Sequence, residues 1–314
     1  MTEIRPTIEK IKRRASELIT QGKERFKAFR AGHPKLFKGL RIGGIAFVSM
    51  VFLVICLVIS VYFGAFGKLP TYAELRNIRN NTASEVYSED EVLLGKYFIE
   101  NRINADLEEI SQDIIDALIA TEDARFFKHS GIDFRAWVRV FFRTILLMDA
   151  SGGGGSTLSQ QLAKNLYPRK SYSILTVPVN KIRELFTARR LENLYTKEEL
   201  LRMYLNTVSF GGNIYGAKVA AQRFFDKSPD QLAVEEAAVL VGMLKGPSYY
   251  NPVNHPERAI QRRNTVLNQM YKYGYLENEN IDSLKQIPLE LNYYREGNNQ
   301  GLATYFREHL RLQL

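Results

Sequence analysis

Residues 120–133 read Ala120-Thr-Glu-Asp-Ala-Arg-Phe-Phe-Lys-His-Ser-Gly-Ile-Asp133. Upstream, Leu107, Ile110, Ile114 and Leu118 recur at three- and four-residue steps, the period of an amphipathic helix leading up to Glu122. Downstream, Asp133 is placed to cap a second helix carrying Trp137, Val140, Phe141, Ile145 and Leu146. The stretch is therefore a turn between two helices, made through Gly131, with Glu122, Asp123, His129 and Asp133 gathered in it. A carboxylate at the end of a helix, where the chain turns away, can overhang a cleft and act as a general base.

Outward from this turn the pattern stays helical, and the fold class reads as mainly α. Ser151-Gly-Gly-Gly-Gly-Ser156 is a flexible loop, and a helix starting at Ser156 or Thr157 runs through Leu166. A further helix, with Pro178 near its start, runs through Glu184 to Leu194. Thr196-Lys-Glu-Glu199 is a capping box that opens Leu200 to Asn206. After the glycine turn at Gly211-Gly212, helices are expected at about 217–225, 235–244 and 256–273, the last closed by Gly274. One hairpin is expected early, with Val86-Tyr87 against Val92-Leu93-Leu94 around the charged turn from Ser88 to Glu91, and an extension from Gly95 to Ile99. There is no internal repeat.

The chain has 314 residues, 45% hydrophobic and 25% charged, enough for a sizeable core and far from the composition of a disordered chain. Its net charge of +9 would suit a nucleic-acid partner if it were evenly spread. It is not. Residues 1–41 carry 12 Lys and Arg against 4 Asp and Glu, leaving 31 against 30 for all the rest. The basic excess is an N-terminal tail, and from Ile42 to Gly67 follow 26 residues without a charge. Roughly 20 apolar residues cross a bilayer, so 42–67 reads as a transmembrane helix. A cleaved signal peptide fits poorly, because the run is long and starts about forty residues in. The basic flank places the N-terminus in the cytoplasm and everything after Lys68 on the outer side of the membrane. Cys56, the only cysteine, lies in this helix, so no intramolecular disulfide is possible.

Two further polar clusters stand out. Gly154-Gly-Ser-Thr-Leu-Ser-Gln-Gln-Leu-Ala-Lys-Asn165 runs from a glycine loop into a helix N-terminus, whose free N–H groups suit a phosphate. Ser156 and Thr157 add hydroxyl donors, and Gln161, Lys164 and Asn165 lie one turn on. It is not a Walker loop, since no Gly-Lys-Ser/Thr follows. Lys181-Ile-Arg-Glu184, with Arg189, Arg190 and Glu192, reads either as a solvated face of helical ion pairs or as the second wall of a cleft, pairing Glu184 with Glu122. Phe126-Phe127 and the face from Trp137 to Met148 read as core; next to a glycine loop in an anchored chain, part of that surface also reads as dipping into the outer leaflet.

In order along the chain, the Glu122 stretch, the Gly154–Asn165 run, the Lys181–Glu192 helix, Tyr204-Leu-Asn206 with Phe210-Gly211 to Tyr215-Gly216, and Glu236-Ala-Ala238 to Tyr250-Asn-Pro252 resemble the five motifs of the peptidoglycan glycosyltransferases. These are the polymerase domains of class A penicillin-binding proteins and of monofunctional transglycosylases, and the resemblance covers about residues 70–275. It implies a lysozyme-like lobe with a small membrane-proximal jaw, preceded by one transmembrane helix in the bacterial cytoplasmic membrane. Residues 1–41 would be the cytoplasmic tail, 42–67 the anchor, 68–104 the hairpin and connector, and 105–275 the catalytic domain. Residues 276–314 look like the start of a linker toward a transpeptidase domain, and no Ser-x-x-Lys motif of that domain occurs in the chain.

The implied reaction is polymerisation of lipid II, a disaccharide-pentapeptide on undecaprenyl diphosphate, into β-1,4 glycan by inverting transfer. Glu122 becomes the catalytic base and Glu184 the second essential carboxylate. Lys164, Lys181 and a basic residue near Arg169 would neutralise the leaving diphosphate. The rest of the expected substrate-binding set is Asp123, Phe126, His129, Ser156, Thr157, Gln160, Gln161, Asn165 and Asn206. No cofactor is required; a divalent cation, Mg2+ or Mn2+, is implied by some members of the family. The implied partners are the growing glycan strand, the membrane, moenomycin-type inhibitors and other wall-synthesis proteins, and no nucleic acid. Three departures from the family pattern stand out: Asn180 where Arg is usual, a longer segment between Asn165 and Glu184, and Thr207 where Glu often follows the Asn. A lytic enzyme of lysozyme-like fold would need a general acid for a sugar leaving group, and a non-catalytic wall-assembly scaffold would tolerate loss of Glu122.

Overall fold

The computed structural model describes residues 31–78, 84–90, 93–97, 101–141 and 154–293, with isolated positions beyond these. The expected strand residues Val92 and Ile99, the stretch 142–153 with Ile145, Leu146 and most of the glycine loop, and residues 294–308 and 310–314 lie outside them. The chain divides into two units, Met1–Ala65 and Phe66–Leu314.

The first unit is built on α1, Pro34–Tyr62, the one helix among the described residues long and apolar enough to cross a membrane. It starts eight residues before the uncharged run and stops five residues before that run ends. Absence of charge governs partitioning into lipid, whereas helix ends follow backbone preferences. Pro34 suits a first turn, and Gly64 and Gly67 take positive φ (84° and 92°) just past the end. At 1.5 Å per residue its 29 residues span about 43 Å, more than the hydrocarbon core of about 30 Å.

The second unit opens with α2, Tyr72–Arg76, started by a capping box between Thr71 and Glu74. The expected hairpin follows: β1, Ser84–Tyr87, pairs antiparallel with β2, Leu93–Tyr97, with a bulge between Val86 and Tyr87. A second sheet was not foreseen. In it β3, Asn101–Arg102, lies parallel to β5, Ile214–Tyr215, which also pairs antiparallel with β4, Ser209–Gly211. Strands of two or three residues carry no alternation to read, and one partner is over a hundred residues away.

Helices make the rest. Ser111 caps α3, Gln112–Glu122, which buries Ile114, Ile115, Ala117, Leu118, Ile119 and Ala120. Asp133 caps α4, Phe134–Phe141, its Oδ1 accepting from the N–H groups of Arg135 and Ala136 at 3.0 and 3.2 Å. Thr157 caps α5, Leu158–Leu166, and Thr196 with Glu199 forms the expected capping box ahead of α7, Lys197–Thr207. Between them runs α6, Thr176–Leu194, and then α8, Ala217–Phe225, α9, Val234–Met243, and α10, Pro256–Lys272. From Ala237 to Met243 every residue of α9 is buried, as expected of a helix apolar on all sides. It packs against α3 and α10, while α5 packs against α6 and α7.

A last helix, α11, Asn278–Gln286, is tied back by Arg263. That side chain is 1% exposed, and its guanidinium donates to Ile287 O and Lys285 O at 2.7 and 2.8 Å, meeting carbonyls that the helix end leaves unpaired. Of the aromatics read as core, Phe126 is buried. Phe127 and Trp137 are exposed, and the Trp137 indole donates to Gly155 O at 2.9 Å.

Candidate active site

The end of α3, the start of α5, the middle of α6 and one face of α10 converge on a cavity of about 730 Å3. Glu122 is the last residue of α3, and its Oε2 accepts from Gln161 Nε2 at 2.8 Å. The Gln161 carbonyl in turn accepts from the Tyr204 hydroxyl at 3.1 Å. Burial, with the charge of Glu122 as a smaller cause, pushes the Tyr204 phenol well above its ordinary range, so it remains a donor.

Asp123 turns the other way and organises the loop. Its Oδ2 accepts from the Leu158 N–H at 3.0 Å, at the start of α5, and its carboxylate lies 2.9 to 3.0 Å from His129 Nε2. His129 Nδ1 accepts from the Gly131 N–H at 3.2 Å, so Nε2 carries the proton toward Asp123. Gly131 O then accepts from Thr157 Oγ1 and Gln160 Nε2 at 2.8 and 3.0 Å. The Glu122 turn is thus fastened to the glycine-loop helix at several points, all of them buried or half-buried. Gln160 is fully buried at the cavity wall, and its Oε1 has no hydrogen-bond partner.

The opposite wall is α6. Glu184 is 6% exposed and is held by Arg169 Nε on Oε1 at 2.8 Å and by Lys181 Nζ on Oε2 at 3.3 Å. Lys181 also donates to Ser156 Oγ at 2.7 Å, so a single ammonium bridges the glycine loop and the second carboxylate. This places Glu122, Glu184, Ser156, Gln160, Gln161, Lys164, Arg169 and Lys181 around one cavity. Thr157, Asp123 and His129 support it from behind.

Three expected residues lie elsewhere. Phe126 is 1% exposed, under the Lys197 ammonium at 4.3 Å from its ring. Asn206 is buried, exchanging two hydrogen bonds of 2.8 Å with the Ala105 backbone. Asn165 is half-buried and does not line the cavity. Three basic residues of the far wall were missed, Lys245, Arg262 and Lys272, together with Arg139 from α4. A signal for part of this wall was available: Arg262, Thr265, Gln269 and Lys272 recur at three- and four-residue steps, a polar stripe on one face of α10. Altogether seven Lys and Arg face two Glu around the cavity, a field suited to a multiply charged anion.

The family model described as Transglycosylase matches residues 90–271, more than half of the chain and all of the cavity-wall residues just described except Lys272. The chain belongs to the transglycosylase family. Similar proteins include penicillin-binding protein 1A of Escherichia coli (strain K12), 37% identical over 231 residues, which cover 72% of this chain and 26% of that protein. Penicillin-binding protein 1A of Aquifex aeolicus (strain VF5) is 35% identical over 273 residues, 86% of this chain and 36% of its own. Among solved structures, penicillin-binding protein 1A from Haemophilus influenzae aligns with a TM-score of 0.43 and 24% identity, covering 75% of this chain and 24% of that one. The transglycosylase chain spans about a quarter to a third of the length of the curated relatives it matches.

The departures from the family pattern have structural counterparts in this transglycosylase. Asn180 is buried, and its amide binds Lys170 N, Lys170 O and Thr176 O, which fastens the long segment between α5 and α6. Arg169, at the start of that segment, reaches Glu184. Thr207 is buried and donates to Met203 O within α7.

Proposed function

We propose that this transglycosylase polymerises lipid II into β-1,4-linked glycan, the growing strand acting as donor. The observation that carries the reading is the pairing of a helix-end carboxylate, Glu122, with a basic wall of Lys164, Arg169 and Lys181 across one cavity. In this reading Glu122, oriented by Gln161, takes the proton of the acceptor 4-hydroxyl as its oxygen attacks the anomeric carbon of the donor. The bond from that carbon to the diphosphate oxygen breaks with inversion, and undecaprenyl diphosphate leaves with the electron pair. A diphosphate needs its charge met more than it needs a proton, which favours a transferase over a hydrolase. Glu184 holds Arg169 and Lys181 in place for this.

The donor set does not fit a protein-held divalent cation. Among the described residues no three His, Cys, Asp or Glu side chains cluster, and both Glu184 oxygens are engaged by cations. The basic tail before α1 supports a cytoplasmic N-terminus, with the catalytic unit on the outer face of the cytoplasmic membrane.

The test is glycan synthesis from purified lipid II in detergent, by the wild type and by Glu122→Gln, with and without moenomycin. Moenomycin-sensitive polymer that disappears in the variant is the expected result. No polymer from folded wild-type protein would favour a scaffold role instead.

A further inference from the structure

The two basic walls of the cavity are built differently. On the α6 side the charges converge: Arg169 Nε and Lys181 Nζ meet one carboxylate, that of Glu184, at 2.8 and 3.3 Å. With Lys164 they leave a positive excess at one spot, which the diphosphate of the proposed substrate meets. On α10 the charges are spread out. Arg262 and Lys272 line the cavity from opposite ends of one helix face, about 15 Å apart along the axis. Lys245 stands just past α9, three residues after Gly242, whose carbonyl accepts from Arg262 Nε at 3.4 Å. None of these three cations forms an ion pair among the described residues. A diphosphate is too short to span such a row, and one seated against α6 leaves the row unanswered.

The groups between the charges narrow the choice of ligand. Thr265 and Gln269 lie on the same face, between Arg262 and Lys272. The Thr265 hydroxyl donates to Gln261 O at 2.9 Å, so what it has left to offer is an acceptor. The Gln269 side-chain amide has no partner among the described residues. An amide presents N–H and carbonyl side by side, a pairing that a peptide bond completes. Lys245 and Lys272 are exposed, and an exposed lysine is ordinary. These two are set apart by sharing one cavity with Glu122 and by flanking an unused amide. Separated single charges with amide-binding groups between them suit an extended peptide carrying carboxylates, and not a compact polyanion.

The substrate proposed above carries such a peptide. In a disaccharide-pentapeptide on a lipid diphosphate, the peptide and the diphosphate hang from one headgroup, so a diphosphate held at Arg169 and Lys181 keeps the peptide within reach of α10. We propose that Lys245, Arg262, Gln269 and Lys272 bind the stem peptide of the substrate and select for its free carboxylates. The identity of the ligand rests on the function proposed above; the preference for stem charge goes beyond it.

The probes are lipid II with its stem carboxylates free and lipid II with the same carboxylates converted to carboxamides, which removes charge and keeps length and shape. Binding to Glu122→Gln, in which turnover is removed, would be followed by titration calorimetry in detergent. The acid form should bind about tenfold more tightly, the scale of one or two charge-assisted contacts, and added salt should narrow the gap. In the same background Lys272→Gln should shrink the gap to about threefold, and Arg262→Gln with Lys272→Gln should close it. Arg258→Gln removes a cation of the same helix outside the cavity and should leave the gap as it was. Because Lys272 is exposed, its single variant keeps the test open should Arg262→Gln fail to fold. Equal binding of the two forms overturns the proposal. So does an equal loss of both forms in the Lys272 variant, which would assign the wall to a second diphosphate. Wild-type polymerisation separates this reading from the one it rests on. Polymer made equally well from both forms leaves the transferase standing and overturns stem selection, whereas acid-selective binding without polymer supports stem selection and overturns the transferase.

Discussion

Gln161 stands between Glu122 and the core: its amide N–H lies 2.8 Å from Glu122 Oε2 while its carbonyl accepts from buried Tyr204. The carboxylate proposed as the base is thus aimed by a side chain that is itself aimed. Gln161→Ala should lower kcat by about 10- to 100-fold with little change in KM, since orientation rather than binding is lost. Tyr204→Phe should do the same more mildly, at a stability cost of about 1 kcal/mol. Steady-state polymerisation kinetics and thermal melting check both.

Lys181 holds Ser156 and Glu184 at once, so its loss opens both walls of the cavity. Lys181→Ala should lower kcat/KM by about 10²- to 10³-fold, as removal of one preorganised electrostatic contact does. Lys181→Arg should restore little, because a guanidinium cannot reproduce a point-charge bridge at this site. Residual activity should fall with added salt less steeply than that of the wild type, one screened contact being gone.

Gly131 takes φ +87°, and a Cβ there would meet Glu192 Cγ at 3.2 Å and the Ala188 backbone at 3.3 Å. Gly131→Ala should cost about 1–3 kcal/mol through strain. Because Gly131 O also anchors Thr157 and Gln160, activity should drop with stability. A melting curve that is unchanged would show that the turn relaxes without cost.

Asp113 titrates above its ordinary range because of burial first, then the charges of Asp116 and Glu235; Asp116 is also raised, by burial. A carboxyl raised in the folded state favours folding when protonated. Its contribution is complete below the unfolded pKa and is lost as pH rises through the folded one. Asp113→Asn should therefore stabilise the protein at neutral pH by a few tenths of a kcal/mol, the scale for partly exposed charges, and not in strong acid. Melting temperatures across pH 3 to 7.5 check the sign.

Arg263 is buried and depressed from its ordinary value by that burial, yet its guanidinium donates to the Lys285 and Ile287 carbonyls at the end of α11 and to Asn264 Oδ1. Arg263→Met should cost about 1–3 kcal/mol, by leaving acceptors unpaired. Since Arg263 lies away from the catalytic cavity, kcat at low temperature should be unchanged. Loss of kcat in folded protein would instead tie α11 to the site.

Local patterns were readable wherever one segment carries its own signal. The Thr157 and Thr196 caps, the Asp133 start and the helix α9 are set by side chains within a turn or two of the backbone they serve. Placing the residues of Gly154–Asn165 near Glu122 needed the family resemblance, because nothing local says that a helix end and a glycine loop meet. Lys245, Arg262 and Lys272 escaped notice for the same reason, although the stripe on α10 was on view.

The sequence by itself determined the helix-rich class, the apolar span, the caps and the residue types of the site, all encoded in short-range periodicity and composition. Only the tertiary structure decided which of those residues face the cavity. It turned Asn206 and Phe126 into the packing behind it and joined β3 to β5 across more than a hundred residues. Each depends on burial and on contacts between distant segments, where a polar or aromatic side chain takes its role from its neighbours and not from its own chemistry.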